Sequence, residues 1–137
     1  MSRVLCLDIG TVRVGAAITD PGCIIAQGLG VWSAENWLND FDECLKKYSP
    51  EKIIIGMPKR TDGKFSQACE NIRNIIKLLR EKYPEKIFIE WDERFTTVIA
   101  QQVLISADVS RKNRKKHVDK LAAVLILESW LEHNRNN

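Results

Sequence analysis

The chain has 137 residues, of which 45% are hydrophobic and 28% charged, and its formal net charge is +3. That length suits one domain spanning 1–137 with a sizeable core, and the ordinary composition excludes a disordered or fibrous chain. No apolar run approaches the ~20 residues needed to cross a bilayer, and the opening MSRVLCLDIG meets Asp8 too early for the apolar core of a secretion signal, so the expected setting is soluble and cytoplasmic.

Residues 3–8 read as a buried strand, and a turn from Gly10 to Gly15 leads into a second strand, Val14 to Thr19. Pro21-Gly22 is turn chemistry, which makes the run Ile24 to Trp32 the third strand of an antiparallel hairpin. A helix follows from about Ala34 to Tyr48, capped by Ser33, with Leu38, Phe41, Leu45 and Tyr48 at helical spacing. Lys52 to Met57 contains Ile53-Ile54-Ile55, a continuous apolar run typical of an interior parallel strand. After the loop MPKRTDG, a second helix spans roughly Ser66 to Lys82, its stripe being Ala68, Ile72, Ile75, Ile76 and Leu79, with Pro84 just beyond. Lys86 to Trp91 is a fifth strand, and two more helices are expected, about Thr97 to Ser106 and about Lys116 to His133. Two hairpin strands and three strands with crossover helices make an α/β fold with a mixed five-stranded sheet flanked by helices. Right-handed crossovers give the order 3-2-1-4-5, so the ends of strands one and five share one edge.

Three carboxylates border segments that read as core. Asp8 ends Val4-Leu5-Cys6-Leu7, Asp92-Glu93 end the fifth strand, and Asp119 opens the apolar stretch that runs to Leu131. Carboxylates in such places need a partner or a metal. Convergence of Asp8, Glu93 and Asp119 would make an oxygen-ligand site suited to Mg²⁺ or Mn²⁺, with Asp92 the second choice at its position. Adjacent strand residues face opposite ways, so Asp92 and Glu93 cannot both aim inward. Asp119 is placed in about the first turn of the last helix, where the positive helix end favours a carboxylate. The four cysteines, Cys6, Cys23, Cys44 and Cys69, lack CxxC spacing and read as reduced structural thiols. His117 and His133 read as surface residues.

Charge is uneven along the chain. The first 58 residues are net acidic and the remainder net basic, and residues 111–117 (Arg-Lys-Asn-Arg-Lys-Lys-His) hold five cations in seven positions. Leading straight to Asp119, the cations Arg111, Lys112, Arg114, Lys115 and Lys116 are suited to steering phosphates, and a solvated loop is their bland alternative. Arg13, Lys59 and Arg94 are further candidates for contact with a nucleic-acid backbone.

Taken together, LDIGTVRVGAAITD, the strand-GMPKRTDG segment, WDERFTT and HVDKLAAVLI resemble the signatures of the YqgF (RuvX) family, relatives of the junction resolvase RuvC. The matching residues are Asp8, Gly10, Arg13, Gly15, Ala17 and Asp20, then Gly56, Pro58, Asp62 and Gly63, then Asp92 through Thr97, and finally Val118, Asp119, Ala122 and Ala123. Lys64-Phe65-Ser66-Gln67 departs from the small hydroxyl residue and Gly usual after the second signature. The resemblance implies an RNase H-like fold and a nuclease that processes the 5′ end of pre-16S rRNA during ribosome biogenesis. In that reading Asp8 bridges divalent ions while Glu93 and Asp119 complete the cage. Two alternatives stay open: a Holliday-junction-resolvase-like endonuclease acting on structured DNA, and a non-catalytic module binding RNA or the transcription machinery. The sequence identifies no dimer face.

Overall fold

The computed structural model describes residues 2–58, 67–92 and 111–135, with residues 111–121 and 135 described by their backbone alone. Five strands form one sheet in the order β3-β2-β1-β4-β5: β1 Val4–Ile9, β2 Arg13–Thr19, β3 Ala26–Ser33, β4 Lys52–Met57 and β5 Ile87–Asp92. β2 runs antiparallel to β1 and β3, while β4 is parallel to β1 and to β5, as the crossover argument expects. Three helices are described: α1 Trp37–Tyr48, α2 Gln67–Lys82 and α3 Arg111–Arg135. The expected helix at Thr97 to Ser106 lies outside the described residues.

Strand alternation sorts the core into two layers. Leu5 and Leu7 of β1, Val14, Ala16 and Ile18 of β2, Ile53, Ile55 and Met57 of β4 and Phe88 of β5 face α1 and α2. Phe41 is fully buried there, with its ring 5.5 Å from that of Tyr83 in an edge-on arrangement. On the opposite face Val4, Cys6, Ala17 and Ile54 pack beneath Ala123, Ile126, Leu127, Trp130 and Leu131 of α3. Within the apolar stretch that runs to Leu131, Glu128 is exposed and Val124 and Leu125 are half-buried, so α3 buries one broad face.

Three helix details differ from the sequence expectation. α1 starts at Trp37 rather than Ala34, because Ser33 completes β3 and its hydroxyl accepts the Glu35 N–H at 3.3 Å in a turn ahead of the helix. The buried stripe of α1 is therefore Trp37, Phe41 and Leu45, spaced by four, and Leu38 is 43% exposed. In α2, Cys69 takes the buried place expected of Ala68. The largest difference is α3, which begins at Arg111 rather than Lys116. Lys and Arg are good helix formers, so the basic run continues the helix, and its backbone is not the solvated loop of the bland alternative. All four cysteines are reduced thiols, Cys6 and Cys69 buried and Cys23 and Cys44 partly so.

Candidate active site

β1, β4 and β5 are parallel, so their carboxyl ends, with Asp8, Met57 and Asp92, share one edge of the sheet. β2 begins there at Arg13 and β3 finishes there at Ser33. The β1–β2 connection is a tight hairpin in which the Gly10 N–H donates to the Arg13 carbonyl at 2.9 Å. A Cβ at Gly10 would lie 2.8 Å from that backbone oxygen, so glycine is required by the turn itself.

Period two puts Asp8 on the face of Val4 and Cys6, beneath α3. The cross-strand partner of Asp8 is Gly15, which in turn pairs with Val31. On the other side β1 and β4 stay in register through Leu7 and Ile55, so the next residues, Asp8 and Gly56, come level; Gly56 pairs with Trp91 of β5. The half-buried carboxylate thus stands between two residues without side chains, in a row bounded by Val31 and Trp91. Along the same face the row below is Ala17, Cys6 and Ile54, all buried. Among the described residues the apolar α3-side core ends with that row, and Asp8 occupies the next one, between the buried Gly15 and Gly56.

Asp92 stands on the opposite face. It shares the alternation of Phe88, which belongs to the α1/α2 core, and of Glu90, whose carboxylate pairs with Arg73 of α2 at 3.1 Å. Asp92 is exposed and separated from Asp8 by the thickness of the sheet. Glu93, Arg94 and Lys59 lie outside the described residues. Arg13 alternates with Gly15 and Ala17 and so belongs to the face of Asp8.

The C-terminal turns of α3 lie over the starts of β1 and β4, where Trp130, Leu131 and Asn134 meet Val4, Glu51 and Lys52. From there the helix packs across β1, β2 and β3. Asp119 falls more than two turns inside the helix, one turn before the buried Ala122 and Ala123. The expected support from the positive helix end is corrected accordingly, since that effect fades beyond the first turn. The side chains of Asp119 and of the cations Arg111, Lys112, Arg114, Lys115 and Lys116 are outside the description; their backbone is helical.

Asp20 closes the first signature at the other edge of the sheet. One carboxylate oxygen accepts the Ile24 and Ile25 N–H groups at 2.7 and 2.9 Å, and the other accepts that of Gly22 at 3.3 Å. These bonds, the one from Ile25 foremost, hold its carboxyl below the usual range. Asp20 is a turn staple. Val12 and Trp32, which the motif reading passed over, line a cleft with Arg13, Val31 and Ser33 at the Asp8 edge. An apolar residue at a hairpin tip, Val12, was the signal available in the sequence.

The strand order, the crossovers and an acid at the end of the central strand define an RNase H-like α/β protein. The fold is similar to that of T. thermophilus RuvC in complex with a Holliday junction substrate, with a TM-score of 0.59 at 10% identity over 98% of this chain and 96% of that one. It is similar also to Ydc2, the yeast mitochondrial Holliday junction resolvase, with a TM-score of 0.53 at 13% identity over 98% of this chain and 82% of that one. The family model described as "RuvX: Holliday junction resolvase" matches residues 2–133, and the chain belongs to the RuvX family. A relative from Caldanaerobacter subterraneus, named "Putative pre-16S rRNA nuclease", is 40% identical over 98% of this chain and 99% of its own length.

Proposed function

We propose that this RuvX-family protein is a divalent-metal-dependent nuclease that hydrolyses phosphodiester bonds in RNA, acting at the 5′ end of pre-16S rRNA. The observation that carries the reading is Asp8, held at the end of the central strand between Gly15 and Gly56, just past the limit of the α3-side core. An oxygen donor in that position fits a hard cation such as Mg²⁺ or Mn²⁺. Among the described residues no three acidic, His or Cys side chains cluster, so the set depends on Glu93 and Asp119. Asp92 is on the wrong face to join Asp8, which favours Glu93 of the adjacent pair.

Distance supports Asp119. From Val4 to Asp8 the strand advances about 13 Å, and from Trp130 back to Asp119 the helix advances about 16 Å. Those lengths match for a helix crossing the strands at a slant, which would bring the Asp119 level of α3 to the Asp8 row. Asp8, Glu93 and Asp119 would hold the metal, which when bound supplies an activated water and charge stabilisation at the departing oxygen. Arg13, Arg94, Lys59 and the cations of residues 111–116 would grip phosphates without reading bases. The relatives' name is the ground for choosing the ribosomal precursor.

The test uses purified protein with a 5′-extended 16S precursor and, in parallel, a four-way DNA junction, each in Mg²⁺, in Mn²⁺ and in chelator. The precursor should be cut with either metal and left intact in chelator. Full activity in excess chelator overturns the metal mechanism. Cutting of the junction in preference to the precursor overturns the choice of RNA.

A further inference from the structure

The cleft formed by Val12, Arg13, Val31, Trp32 and Ser33 is a second feature of the Asp8 edge, with a volume of about 370 Å³. Its walls combine three chemistries. Val12 is an apolar side chain 63% exposed at the tip of the β1–β2 hairpin. Trp32 is half-buried: it leans on the α1/α2 core and also lines the cleft. Arg13 adds a cation on the face of Asp8. Val31 ends the row that runs through Gly15 to Asp8, two strand spacings or about 10 Å from Asp8. Trp32 instead pairs with Val14 and belongs to the α1/α2 face, so the cleft wraps the end of β3 from one face of the sheet to the other.

An aromatic surface, a second apolar wall and a guanidinium at one end match the two parts of a nucleotide, its base and its phosphate. Proteins hold single strands in this way, stacking bases on aromatic rings beside a cationic track. We propose that this cleft seats a base of the single-stranded RNA flanking the scissile phosphate, with Trp32 as the stacking surface, Val12 as the opposite wall and Arg13 on the adjoining phosphate. The proposal rests on the nuclease reading for the identity of the strand. A second depression that Trp32 borders is lined by Asp40 and Glu43 of α1 against the single cation Lys47, a net negative lining that disfavours phosphate, so the strand is directed to the Arg13 side. Trp32 acts here on binding and register, with no part in the chemical step.

Binding is measured in chelator, so that it does not depend on cleavage, with two fluorescent RNA strands of equal length. One carries bases and the other is abasic with the same phosphates. Trp32→Leu keeps an apolar side chain against the core and should weaken binding of the base-containing strand about ten-fold or more while leaving the abasic strand unchanged. Trp32→Phe should restore most of the difference. Val12→Ser, at an exposed tip where folding is not at stake, should give a smaller loss with the same base dependence. Equal losses on the two strands, or no loss in both Trp32→Leu and Val12→Ser, overturn the cleft assignment while the nuclease reading stands. A base-dependent loss in a protein that cuts no RNA in either metal keeps the cleft and overturns the nuclease.

Discussion

The two faces of the sheet are made by the same strands and do opposite things at the same edge. Toward α1 and α2 the apolar rows continue to the carboxyl end, through Leu7, Ile55 and Met57, under Phe41, Ile72 and Ile76. Toward α3 the corresponding rows change chemistry one step earlier: Cys6 is followed by Asp8, Ala17 is preceded by Gly15, and Ile54 is followed by Gly56. A period of two lets one strand carry a sealed core on one side and a half-buried acid flanked by two glycines on the other. One face supplies the stiffness and the other carries the acid.

The contrast breaks most sharply at Asp8. Asp8→Asn keeps the side chain's shape and removes the charge that would hold metal, so cleavage should fall by about a thousand-fold or more. If neighbouring acids repel it in the metal-free protein, chemical denaturation in chelator should show unchanged or higher stability. Loss of stability with cleavage retained would return Asp8 to a structural role. Phe41→Ala, on the sealed face, should do the reverse. Emptying a fully buried site costs about 3–5 kcal/mol in a urea titration, while activity per folded molecule holds.

Smaller effects sharpen the comparison. Neutralising two of Arg111, Lys112, Arg114, Lys115 and Lys116 should lower the salt dependence of RNA binding by roughly 0.7 per lost phosphate contact. An unchanged slope would make the run a solvated helix surface. The sealed face also holds a titrating pair, in which the Tyr83 hydroxyl donates to Asp42 at 3.0 Å. Burial first, and then Asp42, push the Tyr83 phenol up to about 12. A folded value above the unfolded one favours the protonated phenol. This contribution to stability is whole below about pH 10 and is lost as pH rises through about 12. Ultraviolet difference absorbance should show that late ionisation, and Asp42→Asn should bring it down toward the ordinary tyrosine range.

Much of this was legible in the sequence for physical reasons. The uninterrupted Ile53-Ile54-Ile55 can only be comfortable covered on both sides, and that fixed β4 as interior. Handed crossovers then ordered the sheet and brought the ends of β1 and β5 to one edge. Helix starts were less legible. Ser33 looked like a cap but was spent on a turn, and the cations before Asp119 gave no sign of whether the helix included them. Gly15 and Gly56 lie far apart in the chain, and only the strand register shows that they flank the same carboxylate. Trp32 looked like any strand aromatic until its place at the end of β3 put it beside Arg13.

The place of α3 in the chain has a consequence for how the protein comes into being. α3 covers strands made at the very start of synthesis, so its contacts with β1, β2 and β3 close loops of roughly a hundred residues. Such closures are slow, and domains made on the ribosome assemble in the order in which they emerge. A nascent chain that has reached only β5 can already bury the α1/α2 side, but it leaves Val4, Cys6, Ala17 and Ile54 bare. That bare sheet is a surface for chaperones or for misassociation, and it lacks the helix that carries Asp119. On the proposed assignment, Asp119 joins the Asp8 edge in one late docking event, so cleavage activity should appear together with burial of the Trp130 indole during refolding.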